Sequence, residues 1–312
     1  MTNLNFVFIG GTYRGYRLLE SLIEKKFIPK YVVILKEDNH EVDKYSTQMI
    51  EIARINNLTY SFKKKLDVSD LGVIKSRIWD FAFICGWRTI IPFDINRFFT
   101  HGLFAAHDSL LPKYRGFAPL NWAIINGEEE TGVTLFKIDE GEVDSGKVFR
   151  QEVFKIAKTD YAIDVFYKST EATINLFLLF INDFQNSNLS FYTQDEKKAT
   201  YTCKRSPSDG KIDWNKSSFE IYNLIRALAD PYPGAFCELN GEIYIIQKAF
   251  IGDNNEKVFS GRIAGKVYSI KNDYIEVLCG EGSINIFLWK KNESVVLEQP
   301  SKIVKSITTV LK

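Results

Sequence analysis

The chain has 312 residues, which at roughly 150 residues per domain points to about two domains. Apolar residues at 45% and charged residues at 25% match a soluble globular protein and exclude intrinsic disorder. Forty basic residues against 39 acidic leave a net charge of +1, which argues against a protein built mainly to grip nucleic acid.

Four cysteines (Cys85, Cys203, Cys237 and Cys279) stand far apart, so neither a disulfide scaffold nor a structural zinc site is expected. The opening Met-Thr-Asn-Leu-Asn has no basic stretch before its apolar run and reads as the entry to a strand, not as a secretory signal. The longest apolar run, near Leu176 to Ile181, is far shorter than the roughly 20 residues that span a bilayer. A cytoplasmic protein is expected.

In chain order, Phe6 to Ile9 is a short strand that ends at Gly10-Gly11. Arg14 to Lys25 follows as a helix, with Leu18, Leu19, Leu22 and Ile23 at helical spacing. Tyr31 to Leu35 is a second strand, Gln48 to Ile55 a helix, and Phe81 to Cys85 a strand that turns at Gly86. Val133 to Phe136 is a further strand. Alternating strands and helices imply βαβ units and a mainly parallel, Rossmann-like sheet. A long helix is expected from Thr159, whose hydroxyl suits a cap, with Ile163, Phe166, Ile174, Phe177 and Leu178 on its buried side.

Turn-rich breaks fall at 206–210 and 231–234, with a helix at Phe219 to Leu228 between them. Beyond Gly241 come short strands: Ile243 to Ile246, Lys266 to Ile270, Tyr274 to Leu278 and Ser283 to Leu288. The expected organisation is therefore an α/β domain over 1–205, a linker with a helix over 206–240, and a smaller β-rich, barrel-like (OB-like) domain over 241–312.

The turn Gly10-Gly11-Thr12-Tyr13-Arg14-Gly15, with Glu37 and Asp38 after the second strand, approaches a dinucleotide fingerprint. Thr12 stands where the middle glycine must let backbone approach a pyrophosphate, so a tight strand–helix turn is the better reading. Arg14, at the start of the helix, could meet an anionic group or remain a solvated cation.

The chemistry concentrates between Gly102 and Gly146. His107 follows a short apolar strand and precedes a loop dense in Pro, Gly and charge. Imidazole can exchange a proton near neutral pH, and Asp144, in a second turn-rich loop, could orient or charge-tune it. From spacing alone the other reading is a surface histidine and a turn aspartate.

These residues resemble the folate-dependent formyltransferases, whose members include methionyl-tRNA formyltransferase, glycinamide ribonucleotide formyltransferase and the sugar N-formyltransferases. The resemblance rests on His107, Ser109-Leu110-Leu111-Pro112, Arg115-Gly116, Thr131 to Thr134, Asp139, Gly141 and Asp144 before Ser145-Gly146. It continues through Asp209 to Trp214, Ile225-Arg226-Ala227 and Pro231 to Gly234, covering about residues 6 to 240. It implies a formyltransferase fold and makes His107 and Asp144 catalytic. It implies N10-formyltetrahydrofolate as co-substrate, held by the loop with Trp87, Arg88, Ile90 and Ile91 and the loop with Asp139, Glu140, Gly141 and Val143. No metal is needed and no ligand cluster is present in the sequence. Ser109, in Ser-Leu-Leu-Pro, is a structural hydroxyl rather than a nucleophile.

One position departs from the family. Its asparagine, two residues before the histidine, is Ala105 here. That amide helps hold the oxyanion, and losing such a donor can cost about 10²–10³ in rate. Either another donor serves, such as His107 or a backbone N–H, or the alanine is an introduced substitution, or the chain binds folate without turnover.

For the acceptor, the resemblance favours a nucleotide-linked amino sugar: a UDP- or dTDP-linked 4-amino-4,6-dideoxyhexose of a surface glycan. Arg14, Arg115, Lys204 and Arg205 are candidates for its diphosphate, and Tyr201 or Trp214 for stacking on its base. Methionyl-tRNA and a carrier-bound aminoacyl group are the alternatives. Basic runs exist at 63–65 and 290–291, but such runs are usually solvated, so a nucleic-acid partner is disfavoured. The resemblance also allows a homodimer.

Overall fold

A computed structural model describes residues 4–38, 43–252 and 258–312. The chain divides into two compact units, each discontinuous in sequence. The first comprises 1–116, 132–154 and 168–201; the second comprises 117–131, 155–167 and 202–312.

The first unit is built on β1 (Phe6–Gly10), α1 (Thr12–Glu24), β2 (Tyr31–Leu35), α2 (Ser46–Ile55), β3 (Tyr60–Lys63), α3 (Val68–Lys75), β4 (Trp79–Cys85) and β5 (Phe99–His107). The short β6 (Arg115–Gly116) follows, then, after α4 (Pro119–Ile125) of the second unit, β7 (Glu130–Ile138), β8 (Val148–Lys155) and α5 (Ala162–Gln185). Seven strands form one sheet in the order β3-β2-β1-β4-β5-β7-β8. β1 to β5 run parallel, and β7 is antiparallel to β5.

All five residues of β1 and of β2 are buried, as a parallel strand covered on both faces requires. Alternation divides them between two cores. Phe6, Phe8, Phe81, Phe83 and Phe104 pack with α1, α2 and α5; Val7, Ile9, Ala82, Ile84 and Leu103 pack on the opposite face.

The glycine turn works as packing. Gly11 N–H donates to the Cys85 carbonyl at 3.1 Å, closing β1 against β4 where the strand order reverses. A Cβ at Gly86, whose φ is +67°, would collide with the Gly11 carbonyl oxygen. Gly86→Ala should therefore cost about 1–3 kcal/mol from backbone conformation alone, read as a lower urea midpoint. Glu37, which a dinucleotide would need for its ribose, is buried and accepts the N–H groups of Tyr45 and Ser46 at 2.8 and 2.9 Å, at the start of α2.

β3 and α3 are among the elements that the hydrophobic pattern did not mark. β3 lies at the sheet edge and is only partly buried. α3 is fixed by a capping box, in which Asp67 accepts from Ser69 and Asp70 N–H and Asp70 accepts from Asp67 N–H. α5 begins at Ala162, three residues after the expected Thr159. Asp160 spends its carboxylate on Ala157 N–H in the preceding turn, while Asp164 accepts Tyr161 N–H.

The second unit contains α4, α6 (Ser218–Leu228) and a five-stranded antiparallel sheet. The short β9 (Tyr201–Thr202) precedes α6. The sheet strands are β10 (Ala235–Leu239), β11 (Glu242–Ile251), β12 (Val267–Ile270), β13 (Ile275–Leu278) and β14 (Ser283–Lys291), in the order β10-β11-β14-β13-β12. A final short α7 (Pro300–Ile303) follows. α6 packs against α4 and β11, so segment 206–240 is built into this unit. No helix among the described residues is long and apolar enough to cross a membrane.

Candidate active site

His107 ends β5, which places it at the C-terminal edge of the parallel strands, where folds of this kind gather their ligands. Its ring is largely buried. Nε2 lies 2.7 Å from the Tyr114 carbonyl oxygen. A carbonyl only accepts, so Nε2 carries a proton and Nδ1 is the nitrogen left for chemistry. Nδ1 faces Asp144 Oδ2 at 3.4 Å. The same oxygen accepts Gly116 N–H at 2.9 Å. Oδ1 of Asp144 has no partner among the described residues and is the carboxylate oxygen left for a substrate.

The loop after His107 is pinned along its length. Ser109 Oγ donates to the Lys113 carbonyl at 2.6 Å, as a structural hydroxyl should. Thr134 Oγ1 donates to the Ser109 carbonyl and accepts Leu111 N–H, at 2.6 and 3.0 Å. Asp108, the next residue after His107, pairs with Arg14 Nη1 at 2.6 Å and accepts Ser169 Oγ–H at 2.7 Å. Arg14 is 12% exposed in that pair, so its charge anchors the histidine loop and is not held out toward a diphosphate.

Asp144 reaches His107 by a detour. β7 ends at Ile138, which pairs with Leu103; His107 pairs with Thr134. The loop from Asp139 to Gly146 therefore starts four residues short of His107 and must fold back along β5 by about 13 Å. Asp144 sits at φ +59°, in the left-handed region that Asp tolerates better than most residues.

Arg115 holds this loop. It is fully buried, and its guanidinium grips Glu196 with two bonds of 2.7 and 2.8 Å and Gln194 Oε1 at 2.8 and 3.2 Å. Its Nη1 also donates to Tyr201 Oη at 3.2 Å, and Tyr201 donates on to Glu142 at 2.7 Å. The bond to Glu196 raises the Arg115 pKa and lowers that of Glu196. Arg115 and Tyr201, expected at a diphosphate and a base, are thus joined to the Asp144 loop. Trp214 is buried in the second unit and presents no face for stacking.

Ala105 lies one strand step before His107 on the same face of β5. It packs with Leu111, Phe136, Val148 and Ile138. The expected folate loops carry apolar side chains held out in water: Ile90 is 94% exposed and Val143 72%. Arg88, Glu140 and Gly141 are also exposed, and Asp139 accepts Lys147 N–H at 3.4 Å. Ile91 and Trp87 pack against the core beneath. The Trp87 indole N–H is buried with no acceptor among the described residues.

The second unit holds a pocket of about 230 Å³ between Phe117, Asn121, Arg205, Leu228, Tyr232 and Pro233. Lys204 also lines it. Arg205 lies over the Trp122 ring at 4.9 Å and donates to the Asp209 carbonyl at 2.6 Å. Burial lowers its pKa. Within the basic runs, Lys63 pairs with Asp67, Lys64 with Asp38, Lys290 with Asp230 and Lys291 with Glu242. No group of three metal-binding side chains occurs among the described residues, and the four cysteines are free.

Residues 5–179 match the family model described as formyl transferase, and residues 204–298 match its C-terminal domain. The chain belongs to the formyl transferase family. It is thereby placed among enzymes. Solved structures of the same fold include an N-formyltransferase from Helicobacter canadensis, in complex with folinic acid and dTDP-3-aminofucose. That protein is 22% identical, with a TM-score of 0.70 over 92% of this chain and 99% of its own. Methionyl-tRNA formyltransferase from Clostridium thermocellum is 19% identical, with a TM-score of 0.59 over 88% and 99%. HypX from Aquifex aeolicus, in complex with tetrahydrofolic acid, is 17% identical, with a TM-score of 0.64 over 98% of this chain and 48% of its own. This formyl transferase chain thus spans about half the length of HypX.

Proposed function

We propose that the chain moves a formyl group from N10-formyltetrahydrofolate to the amine of a nucleotide-linked 4-amino-4,6-dideoxy sugar. The observation that carries this reading is the His107–Asp144 pair, 3.4 Å apart, with one carboxylate oxygen left for an amine. The amine nitrogen attacks the formyl carbon, and the carbonyl electron pair moves to oxygen. The ammonium proton passes to Asp144 Oδ1, with the His107 ring behind it. The carbon–N10 bond then breaks, N10 takes the proton from Asp144, and the N-formylated sugar and tetrahydrofolate leave.

The Trp87 indole fits a folate in the 86–92 loop, because a buried donor without a partner costs free energy until an acceptor arrives. With a methyl group at position 105, oxyanion stabilisation falls to donors of this kind. In the second unit, apolar walls beside Arg205 and Lys204 suit a pyrimidine base and a diphosphate. A charged hydrogen bond is worth about 1.5–3 kcal/mol, so Arg205→Gln should raise the KM for the nucleotide sugar about tenfold or more. Calorimetric affinity for folinic acid should not change.

The deciding assay is tetrahydrofolate release from N10-formyltetrahydrofolate with UDP- and dTDP-linked amino sugars. Methionyl-tRNA and a carrier-bound aminoacyl group serve as competing acceptors. Turnover with one sugar alone is expected. Turnover with tRNA or the carrier alone would replace the acceptor, and folate binding without turnover would make the chain a binder.

A further inference from the structure

We propose that Gln194, clamped by Arg115, is a positioning residue of this site: it keeps the 139–146 loop folded back so that Asp144 meets His107. The inference rests on the catalytic reading of that pair.

Gln194 has hydrogen-bonding capacity for two donations, and both are spent on the loop. Its Nε2 donates to the Asp144 carbonyl at 2.7 Å and to the Gly146 carbonyl at 2.8 Å. Its Oε1 accepts from Arg115 Nε and Nη2. A guanidinium only donates and a carbonyl only accepts, so the amide has one permitted orientation. The residue is 5% exposed, which strengthens these bonds relative to the same bonds in water. The two carbonyls it holds lie just C-terminal to the Asp144 Cα, whose left-handed backbone persists only where its surroundings impose it. Glu142, on the same loop, is caught separately through Tyr201. No other described side chain donates to the carbonyls of both Asp144 and Gly146.

Gln194→Met removes the donations at nearly constant volume. Because a displacement of about 1 Å can cost about 10² in rate, kcat should fall about 10- to 100-fold. A second readout does not need the acceptor. The sequence has only three histidines (His40, His101 and His107), so their ring signals can be followed by nitrogen-correlated NMR, with His107→Gln assigning the third. The His107 signals should move in Gln194→Met while those of His101, edge-on to Phe184 at the far end of β5, stay in place. Gln194→Asn, too short to reach both carbonyls, should give a smaller shift in the same direction and covers the case in which the methionine variant does not fold. Unmoved His107 signals in a folded variant would overturn the proposal. If the wild type turns over no acceptor, the catalytic reading fails, while a displaced His107 signal still supports the clamp.

Discussion

Asp144→Asn should lower kcat by about 10²–10⁴ and leave the fold standing. The carboxylate has three duties in this structure. Its Oδ2 accepts Gly116 N–H, the same oxygen faces His107 Nδ1, and its backbone occupies the left-handed region. An asparagine carbonyl can still accept from Gly116, and Asn adopts that backbone as readily as Asp. What disappears is the negative charge and the ability to take a proton. A thousandfold loss corresponds to about 4 kcal/mol of transition-state stabilisation. The measurement is single-turnover tetrahydrofolate release beside the thermal midpoint. A fall in rate with an unchanged midpoint is the expected pair of results. Equal rates would remove Asp144 from the chemistry, and a collapsed midpoint would make its role structural. Asp144→Ala is the contrasting variant, since it loses the Gly116 bond and the backbone preference together.

The orientation of the ring explains why the charge matters. With Nε2–H committed to the Tyr114 carbonyl, the ring turns Nδ1 toward Asp144. In the proposed reaction the pair would act as one unit, with Asp144 Oδ1 turned to the substrate. The sequence pattern pointed to the two residues but not to the Tyr114 carbonyl, a backbone group that fixes how the ring is turned.

The same distinction runs through the rest of the molecule. β1, β2 and β4 were legible because each is a run of apolar residues closed by a turn or a change of polarity, and burial on both faces demands such runs. β5 was read only as a short apolar strand before His107, because Thr100, His101 and Gly102 interrupt its start, and β8 was not read, because its charged residues alternate along a sheet edge. α3 carried its signal in Asp67 and Asp70, a capping box, and not in an apolar stripe. Within the site, motif residues were visible and their partners were not. Arg115 stands out in Arg-Gly, but Gln194 and Glu196 lie about 80 residues later in an unremarked polar stretch. A buried cation requires such partners, yet nothing in local spacing says where they come from. Arg14 was readable as a cation at a helix start, whereas its pairing with Asp108 depends on β5 ending beside β4 and β1.

Arg115→Met should destabilise the first unit by about 3 kcal/mol. Methionine fills much of the space but leaves Gln194 Oε1 buried without a donor. Stranding such an acceptor costs about 1–3 kcal/mol, and Tyr201 loses its ring contact and its hydrogen bond with the guanidinium as well. The free Gln194 amide can then turn away from the Asp144 and Gly146 carbonyls, so catalysis should fail together with stability. Urea unfolding and turnover, measured on the same preparation, test both. The informative comparison is a double-mutant cycle. If Arg115 acts on the loop through Gln194, the Arg115→Met and Gln194→Met losses in kcat will not add, because the second removes what the first has already released. Additive losses would mean that Arg115 reaches the Asp144 loop by another route, with the Tyr201–Glu142 contact as the remaining connection.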